Sequence, residues 1–451
     1  MTKRHGYALL AAMIAVVLIF SAAIYLGVAS DDGSKDTFAG GRSLQGSAAP
    51  ASVGTWVGAW SASPAGAEPG TVRNGLAGRS LRNVVHAGSG GTSARVTLSN
   101  LYGHRPLTIT HASIAVAAEP SSATAVAGTL RRLTFGGSDR VSIPAGQQVV
   151  SDAVAIVIPY DSDVLVTTYS PTPSGPVTYH PRAQQISYAA IGDRTQETSG
   201  AAYTEQTPYW RYVTALDVLS HETDGTIVAL GDSLTDGANS SVGENRRWTD
   251  VLTDRLRAAD SDGPRYTVVN QGISGNRVLG GGSAVASAGR GESGGMRLAQ
   301  NPSGLSRFGR DVLGRTNVKA VVIALGVNDI LRTPHQTDPE KITDGLRVLV
   351  RQAHARGLKV IGATLMPFGG HRGYEDQLEA VRQAVNAEIR DGKVFDAVVD
   401  FDKALRDPYD PRRLRAEYDS GDHLHPSDRG YQRMAKAFDL KSLKGSAPAQ
   451  L

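Results

Sequence analysis

The feature that most constrains this chain is a change of hydrophobic pattern near Asp224. After it, Thr226-Ile227-Val228-Ala229-Leu230 is an unbroken apolar run, and Tyr266–Val269, Lys319–Leu325, Lys359–Ala363 and Ala397–Val399 repeat that style. Continuous runs of this length suit strands buried on both faces. Between them stand helical patterns at Arg247–Ala258, Pro339–Ala355 and Glu375–Ile389, with a last one at Ser427–Phe438. Strands alternating with helices predict an α/β region with a parallel sheet and right-handed crossovers.

Before Asp224 the pattern is different. Arg95–Ser99 and Leu107–Thr110 alternate, while Val154–Ile158 and Val164–Thr167 are short β-branched runs. Pro, Gly, Asp and Ser punctuate them, which predicts an all-β antiparallel sandwich. The chain therefore divides into a β-sandwich accessory domain at 54–219 and an α/β domain at 220–440. Residues 441–451 are expected to form a flexible tail.

The N-terminus bears on the compartment. Lys3, Arg4 and His5 precede an apolar run from Tyr7 to Ala29. At about 23 residues this run exceeds a signal-peptide core of roughly 7–15 and reaches the roughly 20 needed to span a bilayer. Residues 1–29 are thus read as either a cleaved signal peptide or an N-terminal transmembrane anchor, and 30–53 as a flexible Gly/Ser/Ala/Asp-rich linker. Either reading places the rest outside the cytoplasm, secreted or anchored to the outer face of the cytoplasmic membrane. The chain has no cysteine, which excludes disulfides, thiolate metal sites and a cysteine nucleophile. A net charge of +4 spread over 451 residues is no footprint for nucleic acid.

In an open parallel sheet, ligands bind beyond the carboxyl ends of the strands. Four segments there can carry chemistry. Gly231-Asp232-Ser233-Leu234-Thr235-Asp236-Gly237 puts a serine on a strand-to-helix turn, where it is either a nucleophile or a helix cap. Asn270-Gln271-Gly272-Ile273-Ser274-Gly275-Asn276 offers glycine N–H groups to a ligand. Gly326-Val327-Asn328-Asp329 offers a side-chain amide. Asp422-His423-Leu424-His425-Pro426 offers a histidine base with a carboxylate three residues earlier, Asp419 being a competitor for the latter role. His423 is out of step with His425, and no third ligand accompanies the two as a metal site.

These four blocks, in this order, resemble the SGNH (GDSL-type) hydrolase superfamily, over about Asp224–Leu440. The β-rich region, with Trp56-Val57-Gly58-Ala59-Trp60 and Leu133-Thr134-Phe135-Gly136-Gly137, resembles the N-terminal half of secreted two-domain members. The resemblance implies a flavodoxin-like sheet. It implies Ser233 as nucleophile, His425 as base and Asp422 as its orienter. It further implies an oxyanion hole made of the Ser233 N–H, the Gly275 N–H and the Asn328 side chain, with Gly272 as the alternative to Gly275. No cofactor or metal is implied. The expected activity is hydrolysis of an ester through an acyl-enzyme. Candidate partners are acylated glycans or small molecules, with lipid acyl chains or acyl transfer as the alternative and an inert surface binding module as a further one.

Two other features are weighed and set aside. Gly291-Glu292-Ser293-Gly294-Gly295 fits the nucleophile-elbow pattern, but it lies in a Gly/Ser/Ala tract (280–295, expected to be a mobile loop) with no strand before it. Trp56 and Trp60 could stack on sugars, though core packing is the expectation for each.

Overall fold

The computed structural model describes residues 54–259, 263–281 and 301–445. The apolar run at Tyr7–Ala29, the linker and the Gly291–Gly295 motif lie outside the described residues. Among those described, no helix is long and apolar enough to cross a membrane.

The N-terminal part builds two main antiparallel sheets. One runs Thr55–Ser61, Val213–Ser220, Gly91–Ser99, Val154–Ile158 in spatial order, with Gln148–Val150 also paired to Gly91–Ser99. The other runs Glu205–Thr207, Ser187–Ile191, Arg79–Ala87, Ser162–Ser170, His111–Val116, Arg131–Leu133. Val57, Val96, Leu98 and Leu216 from the first meet Val85, Ile114, Val164 and Val166 from the second in one buried cluster. Alternating residues of two sheets filling a common core is the sandwich arrangement. Trp60 belongs to that core, its ring 4.8 Å from Trp210 in an edge-to-face contact. Trp56 is capped by the Arg95 guanidinium, 4.8 Å above its ring. Both rings are engaged by the protein itself.

The second part is a five-stranded parallel sheet. Its strands are β1 (Gly225–Gly231), β2 (Tyr266–Gly272), β3 (Val318–Ala324), β4 (Lys359–Ala363) and β5 (Ala397–Val399). Every residue of β1 is buried, as its unbroken apolar sequence requires. The spatial order is β2-β1-β3-β4-β5, with every pair parallel. That is the flavodoxin-like order. The helices are α1 (Ser233–Asp236), α2 (Trp248–Ala258), α3 (Gly304–Phe308), α4 (Val327–Leu331), α5 (Pro339–His354), α6 (Asp376–Arg390), α7 (Phe401–Leu405) and α8 (Asp428–Lys436). Asp338 caps α5 by accepting the Glu340 N–H, with Pro339 at the first position, where its missing N–H costs nothing.

The register decides where the chemistry goes. Gly231 stands opposite Gly272 on β2 and opposite Ala324 on β3. Three strands therefore end level, and the segments that follow them emerge together. The expected tail departs from the structure at its start: Leu440–Leu443 forms one further helical turn, because Leu443 is fully buried in the hydrophobic cluster of the parallel sheet.

Candidate active site

Ser233 is the first residue of α1 and is 8% exposed. Asp232 precedes it as the helix cap, accepting the Leu234 N–H at 3.0 Å. As the first helical residue, Ser233 has no acceptor for its own N–H within the helix. The hydroxyl of Ser233 lies 2.8 Å from His425 Nε2. His425 Nδ1 lies 2.6 Å from Asp422 Oδ2, and the His425 N–H is donated to Asp422 Oδ1 at 2.8 Å. Asn239 Nδ2 donates to the same Asp422 Oδ2 at 3.1 Å. Burial disfavours the Asp422 anion, but the His425 and Leu424 N–H groups and the imidazole outweigh it and hold the carboxyl at about 2. Asp422 is thus charged at any pH near neutrality. The competitor Asp419 is engaged elsewhere, its Oδ2 2.6 Å from His423 Nδ1.

The second block supplies two glycines in different situations. The Gly272 N–H is donated to Asn270 Oδ1 at 2.8 Å. A Cβ at Gly272 would sit 2.3 Å from the Asp236 nitrogen, so this glycine is required by close packing of β2 against α1. Gly275 has φ +78°, the left-handed region that favours glycine, and among the described residues its N–H meets no acceptor. The third block delivers Asn328 from α4. Its Nδ2 donates to Asp232 Oδ2 at 3.2 Å, and its Oδ1 accepts from Arg332 Nε at 3.0 Å. Arg332 also lies against Gly275, its Nη2 2.7 Å from where a Cβ would stand.

The structure thus brings Ser233, His425 and Asp422 into one hydrogen-bonded line. It also places Asn328 beside Ser233 through their shared neighbour Asp232. The arrangement is that of a serine hydroxyl with a base in reach and a carboxylate behind the base. Asp232 is fully buried, and that burial pushes its carboxyl up to about 7, with Asp329 adding to the rise. The family model of GDSL-like lipases and acylhydrolases matches residues 229–433.

This part of the chain is a GDSL-like lipase/acylhydrolase domain.

The GDSL-like domain is an ester-bond hydrolase by family. Among solved structures, the chain is similar to LAE5, an alpha/beta hydrolase from the Lake Arreo metagenome (20% identity over 49% of this chain and 98% of that one, TM-score 0.36). It is also similar to Est24, a carbohydrate acetylesterase from Sinorhizobium meliloti (17%, 47% and 95%, TM-score 0.33). A third is a lipolytic G-D-S-L family member from Veillonella parvula (16%, 47% and 94%, TM-score 0.31). No curated protein matches the chain.

In the sequence Asp232 is legible as a helix cap beside Ser233, whereas Asp236 and Arg332 are assigned no part. The spacing of Arg332 four residues after Asn328 was an available signal, since such pairs share a helix face. The contact between Arg332 and Gly275 had none, because it joins two blocks distant in sequence.

Proposed function

We propose that the protein is an extracellular serine ester hydrolase in which Ser233 is the nucleophile, His425 the base and Asp422 the residue that orients it. The observation that carries this reading is His425 bridging the Ser233 hydroxyl and the Asp422 carboxylate. The Ser233 oxygen attacks the ester carbonyl carbon as His425 Nε2 takes its proton. The C–O π pair moves onto oxygen, and the N–H groups of Ser233 and Gly275 and the Asn328 amide receive that charge. Collapse breaks the bond to the alcohol, which leaves with the proton from His425, and Ser233 is acylated. Water, deprotonated by His425, then attacks the acyl carbon; the acid departs and the serine is restored. Gly275 is preferred to Gly272 as donor because the Gly272 N–H is already committed to Asn270.

The groups around the triad, Asp232, Asn239, Asn328 and Arg332, are polar, which supports short acyl esters of glycans or small molecules over long lipid chains. An outward location is supported by the basic N-terminus and the apolar run behind it. Turnover of p-nitrophenyl acetate is expected from the wild type and not from Ser233→Ala. Equal rates in the two would leave a binding module as the better reading. Faster turnover of a C12 than of a C2 ester would move the substrate to lipid.

A further inference from the structure

The steps above leave a buried charge pair beside the site unused. His180, at the end of the strand Thr178–His180 in the antiparallel part, is 4% exposed. Its Nδ1 lies 2.8 Å from the Ser63 carbonyl oxygen. Its Nε2 lies 2.9 Å from Asp236 Oδ1 and 3.3 Å from the Arg182 carbonyl oxygen. Carbonyl oxygens only accept, so Nδ1 must carry a proton. The other carboxylate oxygen, Asp236 Oδ2, receives the Ser274 N–H at 3.0 Å and the Ser274 hydroxyl at 2.6 Å. Nε2 likewise faces acceptors, the Arg182 carbonyl oxygen and a carboxylate oxygen, so it carries a proton as well. His180 is therefore an imidazolium facing an anion.

The position of this pair gives it a task. Asp236 is the last residue of α1, the short helix that Ser233 begins, and Ser274 immediately precedes Gly275. One carboxylate ties the nucleophile's helix to the loop whose next N–H faces the reaction. We propose that His180 is a cationic positioning residue for ester hydrolysis: through Asp236 and Ser274 it holds the Gly275 N–H in place for the developing oxyanion. This rests on the reading of Gly275 as a donor. The antiparallel region thereby supplies a component of the active site.

Charge around His180 comes from few groups. Asp236 is in direct contact, and Arg247 donates from Nε to the Asp236 carbonyl oxygen at 3.3 Å. Arg307 and Asp311 reach it through the Ser63 hydroxyl. His86, Tyr160, Asp250 and Asp254 line the same cavity. Burial opposes the cation, but Asp236 and the two carbonyls prevail, and the pKa is raised above that of a free histidine. With a raised pKa the pair is fully formed below about pH 6.5 and is lost as pH rises through the folded-state value.

The test is kinetic, with Ser233→Ala as control. In His180→Gln, kcat is expected to fall about 10- to 100-fold, the scale of a small misplacement, with KM within about threefold of wild type. An alkaline decline in kcat is expected for wild type and should be absent in His180→Gln. Asp236→Asn should match it, and the double variant should be no slower than the worse single one, as for residues acting as a unit. A folded His180→Gln with wild-type kcat, or one that keeps the alkaline limb, overturns the proposal. Should His180→Gln fail to fold, ¹⁵N-histidine NMR of the unsubstituted chain decides. At pH 7.5 the ring identified by cross-peaks to Trp210, 5.5 Å away, should carry protons on both nitrogens, and a neutral ring overturns the proposal. If Ser233→Ala is as active as wild type, the reading of the site itself has failed, a result distinct from an inactive control with His180→Gln unimpaired.

Discussion

Two hydrogen bonds leave the Asn328 amide one orientation. Arg332 Nε donates to its oxygen and the Asp232 carboxyl accepts from its nitrogen, so a side chain that could flip is locked. Asn328→Ala is therefore expected to lower kcat by about 10²–10³, the usual cost of an oxyanion donor, with little change in thermal unfolding. Arg332→Met should cost less, because it frees the amide without removing it. If Arg332→Met proved slower than Asn328→Ala, the arginine would have a larger part than orienting the amide. On the acid side of the pH–rate profile Asp232, raised to about 7 by burial, is expected to contribute and Asp422 is not. Asp422 is held at about 2 by the His425 and Leu424 N–H groups against the opposing effect of burial, so it stays charged down to that pH. Asp422→Asn should lower the plateau, because it removes the carboxylate that holds the His425 ring. An Asp422→Asn plateau equal to that of wild type would contradict a carboxylate acting through His425. The residues of the first three blocks could be read from the chain because each follows a strand end, and those of the fourth because they sit just before the last helix, α8. Asp236 could not, because it acts across blocks on Ser274, whereas the spacing of Arg332 from Asn328 carries a signal.

Among the elements, the ends of β1 and β2 are joined by one buried side chain. Arg307 on α3 donates to the Gly231 carbonyl at 2.9 Å and the Gln271 carbonyl at 2.7 Å, and to Asn276, Ser63 and Asp311. Removing one partner of such a set leaves polar groups buried without compensation. Arg307→Met is thus expected to destabilise the protein by about 3–5 kcal/mol in urea unfolding. A loss below about 1 kcal/mol would show that the carbonyls find other donors. Asp311 opposes its own burial through Arg310, Arg307 and Arg315, which hold it at about 2. Its folded-state pKa is lowered, so its contribution is complete above about pH 4 and disappears as pH falls toward 2. The parallel strands were legible almost to the residue: Lys359–Ala363 stands as expected because burial on both faces forces continuous apolar sequence, and the edge strand Ala397–Val399 stands as expected although Val398 is exposed. Short edge strands such as Glu205–Thr207 were not, since two of its three residues are exposed and no hydrophobic pattern marks them.

At the scale of the molecule, the antiparallel and parallel parts share a polar seam. The Gly58 N–H is donated to Thr226 Oγ1 at 3.0 Å, Ser61 and Ser63 both bond Gln271, and His180 meets Asp236. Buried polar groups left without partners are costly. A chain beginning at residue 220 is therefore expected to melt at least about 10 °C below the full-length protein, if it folds at all, and to lose esterase activity with the seam. An equal melting temperature and equal kcat would show that the seam joins two independent domains. The chain's own order of residues determined the two structural styles, the strand and helix positions of the parallel part, and the four blocks proposed to carry the chemistry. These follow from periodicity and local turn chemistry, which act over a few residues. Only the tertiary structure decided that Asp422 and not Asp419 faces His425, that the Gly272 N–H is already occupied, and that Trp60 lies in the core. It alone set His180 against Asp236, which holds the loop that carries Gly275. Those outcomes depend on contacts between segments as much as 192 residues apart, as from Ser233 to His425, and packing and register select such contacts among many that the sequence would allow.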